Sequence, residues 1–117
     1  MYTKRFDLKG KTALITGAAG LLGQQHAMAL LECDCEVVLT DINEEKLITT
    51  KNNLSKYSYD SKFYSYLMDI TSEESIIRVS KELKKKDIKI DILVNNAAVD
   101  PKVCLLYTSD AADDETS

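Results

Sequence analysis

With 117 residues, 19 acidic and 15 basic side chains and a formal net charge of −4, the chain is sized for one small domain. Its excess acids, Asp110, Asp113, Asp114 and Glu115, cluster near the carboxyl end, so the remainder is balanced in charge and offers no basic footprint for nucleic acid. No apolar run approaches the roughly 18 residues that span a bilayer, and Met1 to Asp7 lacks a signal peptide's apolar core, so a cytoplasmic protein with no membrane partner is expected.

The first element is the apolar run Ala13-Leu14-Ile15, which reads as a strand buried on both faces. It leads into Thr16-Gly17-Ala18-Ala19-Gly20-Leu21-Leu22-Gly23 and then a helix from Gln24 to Glu32, free of Gly and Pro. Strand, glycine-rich turn and helix in this order form a dinucleotide phosphate cradle. Gly17 permits the tight turn, Gly20 lets backbone approach a pyrophosphate, and Gly23 lets the helix pack on the strand, while open helical N–H groups face the anion. His26, a turn into that helix, reads as a surface or packing residue.

Cys33-Asp34-Cys35 follows at a helix-to-strand turn, matches no metal-ligand spacing, and reads as small buried apolar residues, so no metal site is expected. The second strand, Glu36 to Thr40, ends in Asp41, roughly 20 residues beyond the glycines, where a carboxylate accepts from ribose hydroxyls. Asn43 or Asp41 caps a helix through Leu54 with Leu47, Ile48, Lys51 and Leu54 turned inward. Lys62 to Met68 is a third strand ending at Asp69. Thr71-Ser72-Glu73-Glu74 reads as a capping box for a third helix with Ile76, Ile77, Val79 and Leu83 as its apolar stripe. Lys84-Lys85-Lys86 is its solvated, cationic C-terminus. Ile90 to Val94 is the fourth strand and delivers Asn95-Asn96-Ala97-Ala98.

Helices between successive strands require parallel pairing, and right-handed crossovers give the strand order 3-2-1-4. The glycine turn, Asp41, Asp69-Ile70 and Asn95-Asn96-Ala97 then meet outside the carboxyl ends of the strands, where the order reverses.

Thr16-Gly17, Asp41, Asp69 and Asn95-Asn96-Ala97-Ala98, in these places, resemble the N-terminal half of the short-chain dehydrogenase/reductase family. The resemblance runs to about Val103 and implies an α/β, partial doubly wound Rossmann fold that binds NAD(P). Carried over by position, Gly17, Ala19, Gly20, Leu21 and Leu22 wrap the pyrophosphate, and Asp41 with Ile42 holds the adenosine ribose. Asp69, with Ile70 beside it, takes the adenine amino group, and Asn96, Ala97 and Ala98 flank the ribose and ring. Two positions depart from the family's pattern. Leu21 stands where compact members carry the middle glycine, and Ala98 replaces a glycine.

Asp41 repels a 2′-phosphate, and neither Ala19 nor Ile42 offers a cation to offset it, so NAD is the expected cofactor. The family's chemistry uses a Tyr with a Lys four positions later, whose charge stabilises phenolate. None of Tyr2, Tyr57, Tyr59, Tyr64, Tyr66 and Tyr107 has that partner. The string from Cys104 to Asp113 reads as the translation of a transposase-type sequencing adapter, TGT CTC TTA TAC ACA TCT GAC GCT GCC GAC. The expectation is therefore a cofactor-binding half-domain over residues 1–103 and a non-native or disordered tail over 104–117. Such a fragment is expected to be catalytically silent, with an apolar fourth-strand edge prone to aggregation. Its parent is expected to be a homo-oligomeric NAD-dependent oxidoreductase acting on a small alcohol or ketone. An extended-branch nucleotide-sugar epimerase or dehydratase, suggested by the glycine spacing, and a non-catalytic NAD-sensing domain stand as alternatives.

Overall fold

A computed structural model describes residues 7–57 and 62–97. Four strands, β1 (Thr12–Thr16), β2 (Glu36–Asp41), β3 (Phe63–Leu67) and β4 (Ile92–Asn95), alternate with helices α1 (Leu21–Glu32), α2 (Glu44–Ser55) and α3 (Glu73–Lys85). All strand pairs are parallel and the sheet order is β3-β2-β1-β4, as the alternation predicts. β1 is central, and each of its five residues is buried.

Helices cover both faces, which is why β1 and β2 read as near-continuous apolar runs. On one face Ile15, Val37 and Leu39 pack with Ala27 and Leu31 of α1 and Leu47 and Leu54 of α2. On the other, Leu14 and Val38 pack with Met68 and with Val79 and Leu83 of α3. β4 pairs with β1 in the register Leu14 to Leu93, and Leu93 is 64% exposed.

Local details depart from the sequence expectations. α1 starts three residues early, at Leu21, because the extended backbone of Gly20 (φ −90°, ψ 174°) allows the helix to begin directly behind it. Asn43 is the α2 cap: its Oδ1 accepts from the Lys46 N–H at 2.9 Å. The inward positions of α2 are Leu47, Thr50 and Leu54, whereas Ile48 and Lys51 are exposed. Ser72 caps α3 by accepting from Ser75 N–H. That puts Ser75, not Glu74, at the third helical position, so the expected capping box does not form, though Glu73 and Glu74 still favour the helix dipole. Ile76 and Ile77 are exposed, leaving Val79 and Leu83 as the buried stripe. At the other end of α3 the Lys86 ammonium lies 5.5 Å from the Tyr66 ring centroid, an aromatic contact that the sequence reading left to solvent. Cys35 is buried, and its burial pushes the thiol's pKa up; Cys33, at the α1 C-cap, is only half-buried. No helix of the described residues is long and apolar enough to cross a membrane, and no cluster of three or more metal-ligating side chains occurs among them.

Candidate functional site

The three glycines of the β1–α1 turn answer to different constraints. Gly17 has φ +64°, and a Cβ there would lie 2.6 Å from the Ala97 Cα, so the protein itself demands a glycine. A Cβ on Gly23 would come within 2.6 Å of the Gly17 carbonyl oxygen, which is the close helix-to-turn packing expected of the third glycine. At Gly20 a Cβ would meet nothing within 4 Å. Nothing in the described residues needs that glycine for packing, and the space above it is open. Directly behind it, α1 has no side-chain cap and no acid in its first turn, whereas α2 and α3 have both. Its leading N–H groups and dipole thus remain available to an anion.

Thr16, buried at the end of β1, ties this turn to β4. Its hydroxyl donates to Asn95 Oδ1 at 3.1 Å and accepts from the N–H groups of Asn96 and Ala97 at 3.0 and 3.1 Å. The Asn96 amide then donates to the Gly17 carbonyl at 3.0 Å. β2 is tied in from the other side. The Thr40 hydroxyl donates to the Ile15 carbonyl, and the Thr40 carbonyl accepts from Ala18 N–H. Asp41 Oδ2 accepts from Ala19 N–H at 3.0 Å, while its Oδ1 accepts from Asn43 N–H at 2.9 Å. At the end of β3, Asp69 Oδ1 accepts from both the hydroxyl (2.6 Å) and the N–H (2.9 Å) of Thr71. Those bonds, the hydroxyl's first, hold its carboxyl below the usual range.

Between these strand ends lies a cavity of about 590 Å³. Of the residues expected to bind a dinucleotide, it is lined by Gly17, Ala19 and Gly20 from the turn, Asp41 and Ile42, Asp69 and Ile70, and Asn96 and Ala97. Leu21 and Leu22 are not in its wall; they sit in the first turn of α1, 76% and 57% exposed. Ala98 and the tail 104–117 lie outside the described residues. Four further lining residues were not read as site residues in the sequence: Asn43, Lys46, Met68 and Thr71. Asn43 caps α2 and Lys46 stands in its first turn, shortly beyond Asp41, and Met68 and Thr71 flank Asp69, so proximity to the two acids was the available signal.

The donor set fits an adenine dinucleotide. An open helix N-terminus and an unfilled glycine suit a pyrophosphate, a carboxylate at the β2 end suits ribose hydroxyls, and Ile42, Met68 and Ile70 supply apolar surface for a base. A parallel sheet with helices on both faces and this wall at its order reversal is a partial Rossmann, NAD(P)-binding fold. A sequence profile of the short chain dehydrogenase family matches residues 11–116, and the chain belongs to that family.

Among its relatives, the short chain dehydrogenase/reductase dpfgG of Gibberella zeae is 37% identical over 99 residues, 85% of this chain and 36% of its own length. The solved Pseudomonas aeruginosa RhlG/NADP complex superposes with a TM-score of 0.71 at 33% identity, covering 84% of this chain and 38% of RhlG. An NAD⁺-bound xylitol dehydrogenase superposes with a TM-score of 0.65 at 33% identity, covering 78% of this chain and 34% of that enzyme. This chain therefore spans about a third of the length of these relatives. Their company favours dehydrogenase chemistry over the epimerase, dehydratase and sensor alternatives, and they include both NAD and NADP complexes.

Proposed function

We propose that this chain is the NAD-binding half of an oxidoreductase that moves hydride between NAD and a small alcohol or ketone. The observation that carries the reading is the convergence of four strand-end segments on one cavity at the β1/β4 reversal. In this reading Gly20 and the α1 N-terminus hold the pyrophosphate, with Gly17, Ala19, Leu21 and Leu22 shaping the turn around it. Asp41 accepts from the adenosine ribose beside Ile42, Asp69 accepts from the adenine amino group beside Ile70, and Asn96, Ala97 and Ala98 border the nicotinamide side. Bound NAD supplies the hydride acceptor, and its reduced form the donor. NAD is preferred over NADP because the Asp41 carboxylate faces the ribose. The parent protein is proposed to be a cytoplasmic homo-oligomer.

Titration of the purified 117-residue chain with NAD and NADH tests the assignment. Saturable binding with one site per chain is expected, and its abolition by Gly20→Val locates that site above the glycine turn. No binding at millimolar cofactor overturns the reading. With any alcohol added, the chain is expected to yield no NADH, because it carries no Tyr with a Lys four positions on. Sustained NADH production refutes this part.

A further inference from the structure

Lys46 is the only cation in the cavity wall among the described residues, and it stands in the first turn of α2, in the same wall as Asp41, Ile42 and Asn43. Its backbone N–H is fixed on the Asn43 side chain at 2.9 Å, which anchors the root of its side chain at the helix start. The side chain is exposed, and among the described residues its ammonium has no ion-pair partner. Asp41, the group that opposes a 2′-phosphate, is by contrast already engaged. Each of its oxygens accepts a backbone N–H, from Ala19 and from Asn43, and the positive ends of those two dipoles lie against the carboxylate. Its negative field in the cavity is reduced accordingly.

We propose that Lys46 is a specificity-determining residue whose ammonium takes a 2′-phosphate on the adenosine ribose, so that the cavity admits NADP as well as NAD. The inference rests on the reading of the cavity as an adenine dinucleotide site. A 2′-phosphate brings close to two negative charges, more than a hydrogen-bonded carboxylate tolerates alone. A lysine ammonium binds phosphate as a mobile point charge and needs no fixed fork geometry, which suits a side chain rooted one turn beyond the ribose site. Glu44 and Glu45 share the first turn of α2 and Asp69 lines the same cavity, so the field at Lys46 is mixed. The expected result is tolerance of the phosphate, with NAD still the tighter ligand.

Adenosine 5′-monophosphate and adenosine 2′,5′-bisphosphate, titrated calorimetrically into the full 117-residue chain at low salt, separate the possibilities. The two affinities are expected to lie within about tenfold of each other. Lys46→Gln is expected to weaken the bisphosphate about tenfold more than the monophosphate, and Lys46→Arg to restore it. If neither ligand binds the unaltered chain, the dinucleotide reading itself falls, and this inference with it. If the monophosphate binds but the bisphosphate is rejected by more than about a hundredfold, or if Lys46→Gln weakens both equally, the role of Lys46 is overturned and the cavity assignment stands.

Discussion

Asp41 Oδ2 lies 3.0 Å from the backbone nitrogen of Ala19, so the carboxylate at the end of β2 is fastened to the turn that leaves β1. The same side chain that the proposed site turns toward the ribose also holds the glycine turn in place. Removing it therefore disturbs the fold as well as the ligand. Asp41→Ala leaves the partly buried Ala19 N–H without an acceptor and is expected to cost about 1 to 2 kcal/mol in urea unfolding, with NAD affinity falling at least about tenfold. Unchanged stability in that variant refutes the structural half of the argument, and unchanged affinity the binding half.

Gly17 and Gly20 separate folding from binding. Gly17→Ala combines a left-handed φ with a 2.6 Å approach to Ala97, so a loss of about 2 kcal/mol or more is expected in thermal or denaturant melts. Gly20→Ala adds a methyl group to open space, so folding should change by less than about 1 kcal/mol while dinucleotide affinity drops. Equal stability losses in the two variants contradict this division.

The Thr16 hydroxyl makes three hydrogen bonds to the β4 end from a buried position. Thr16→Val keeps the shape and deletes all three, stranding the Ala97 N–H and leaving the Asn96 N–H only the Val94 carbonyl at 3.1 Å. A cost of about 2 to 3 kcal/mol is expected, with Thr16→Ser recovering most of it. Equilibrium unfolding of the three proteins is the check, and a valine variant as stable as the original rules out the role.

Asp69 has its carboxyl pKa lowered by the Thr71 hydroxyl and N–H. Because the folded value is below the unfolded one, the native state binds fewer protons between the two, and stability rises with pH there. The contribution is present above the ordinary carboxylate value of about 3.9 and disappears as pH falls through the folded value. Thr71→Val removes one of the two bonds. The Asp69 carboxyl carbon, followed by NMR, should then titrate at a higher pH; an unmoved midpoint contradicts the assignment.

The strand order and the meeting of Gly17, Asp41, Asp69 and Asn96 were legible because they follow from local patterns, namely apolar runs, breaks and the handedness of crossovers. Lys46 was not, because whether a first-turn side chain of α2 reaches the cavity depends on how that helix leaves β2, which no periodicity records. Ile48, Ile76 and Ile77 misled for a related reason. An apolar stripe states which side of a helix prefers burial, and the sheet beneath α2 and α3 covers only Leu47, Thr50 and Leu54 on one and Val79 and Leu83 on the other. The α3 start turned on a single residue of phase. Ser72 instead of Thr71 took the cap, so Ser75 fell at the third position, where its hydroxyl accepts the Asp69 N–H.

Because the bonds that join Thr16, Asn96 and Gly17 all lie within the protein, the mouth between β1 and β4 is braced by groups that need no contact with a cofactor. Association should then proceed as a rigid-body event, with one kinetic phase whose observed rate climbs linearly with cofactor concentration. Amide exchange at Asn96 and Ala97 should be slow in the free protein and little slower in the complex, whereas a lid or folding segment would declare itself by a plateau in the rate and a large gain in protection.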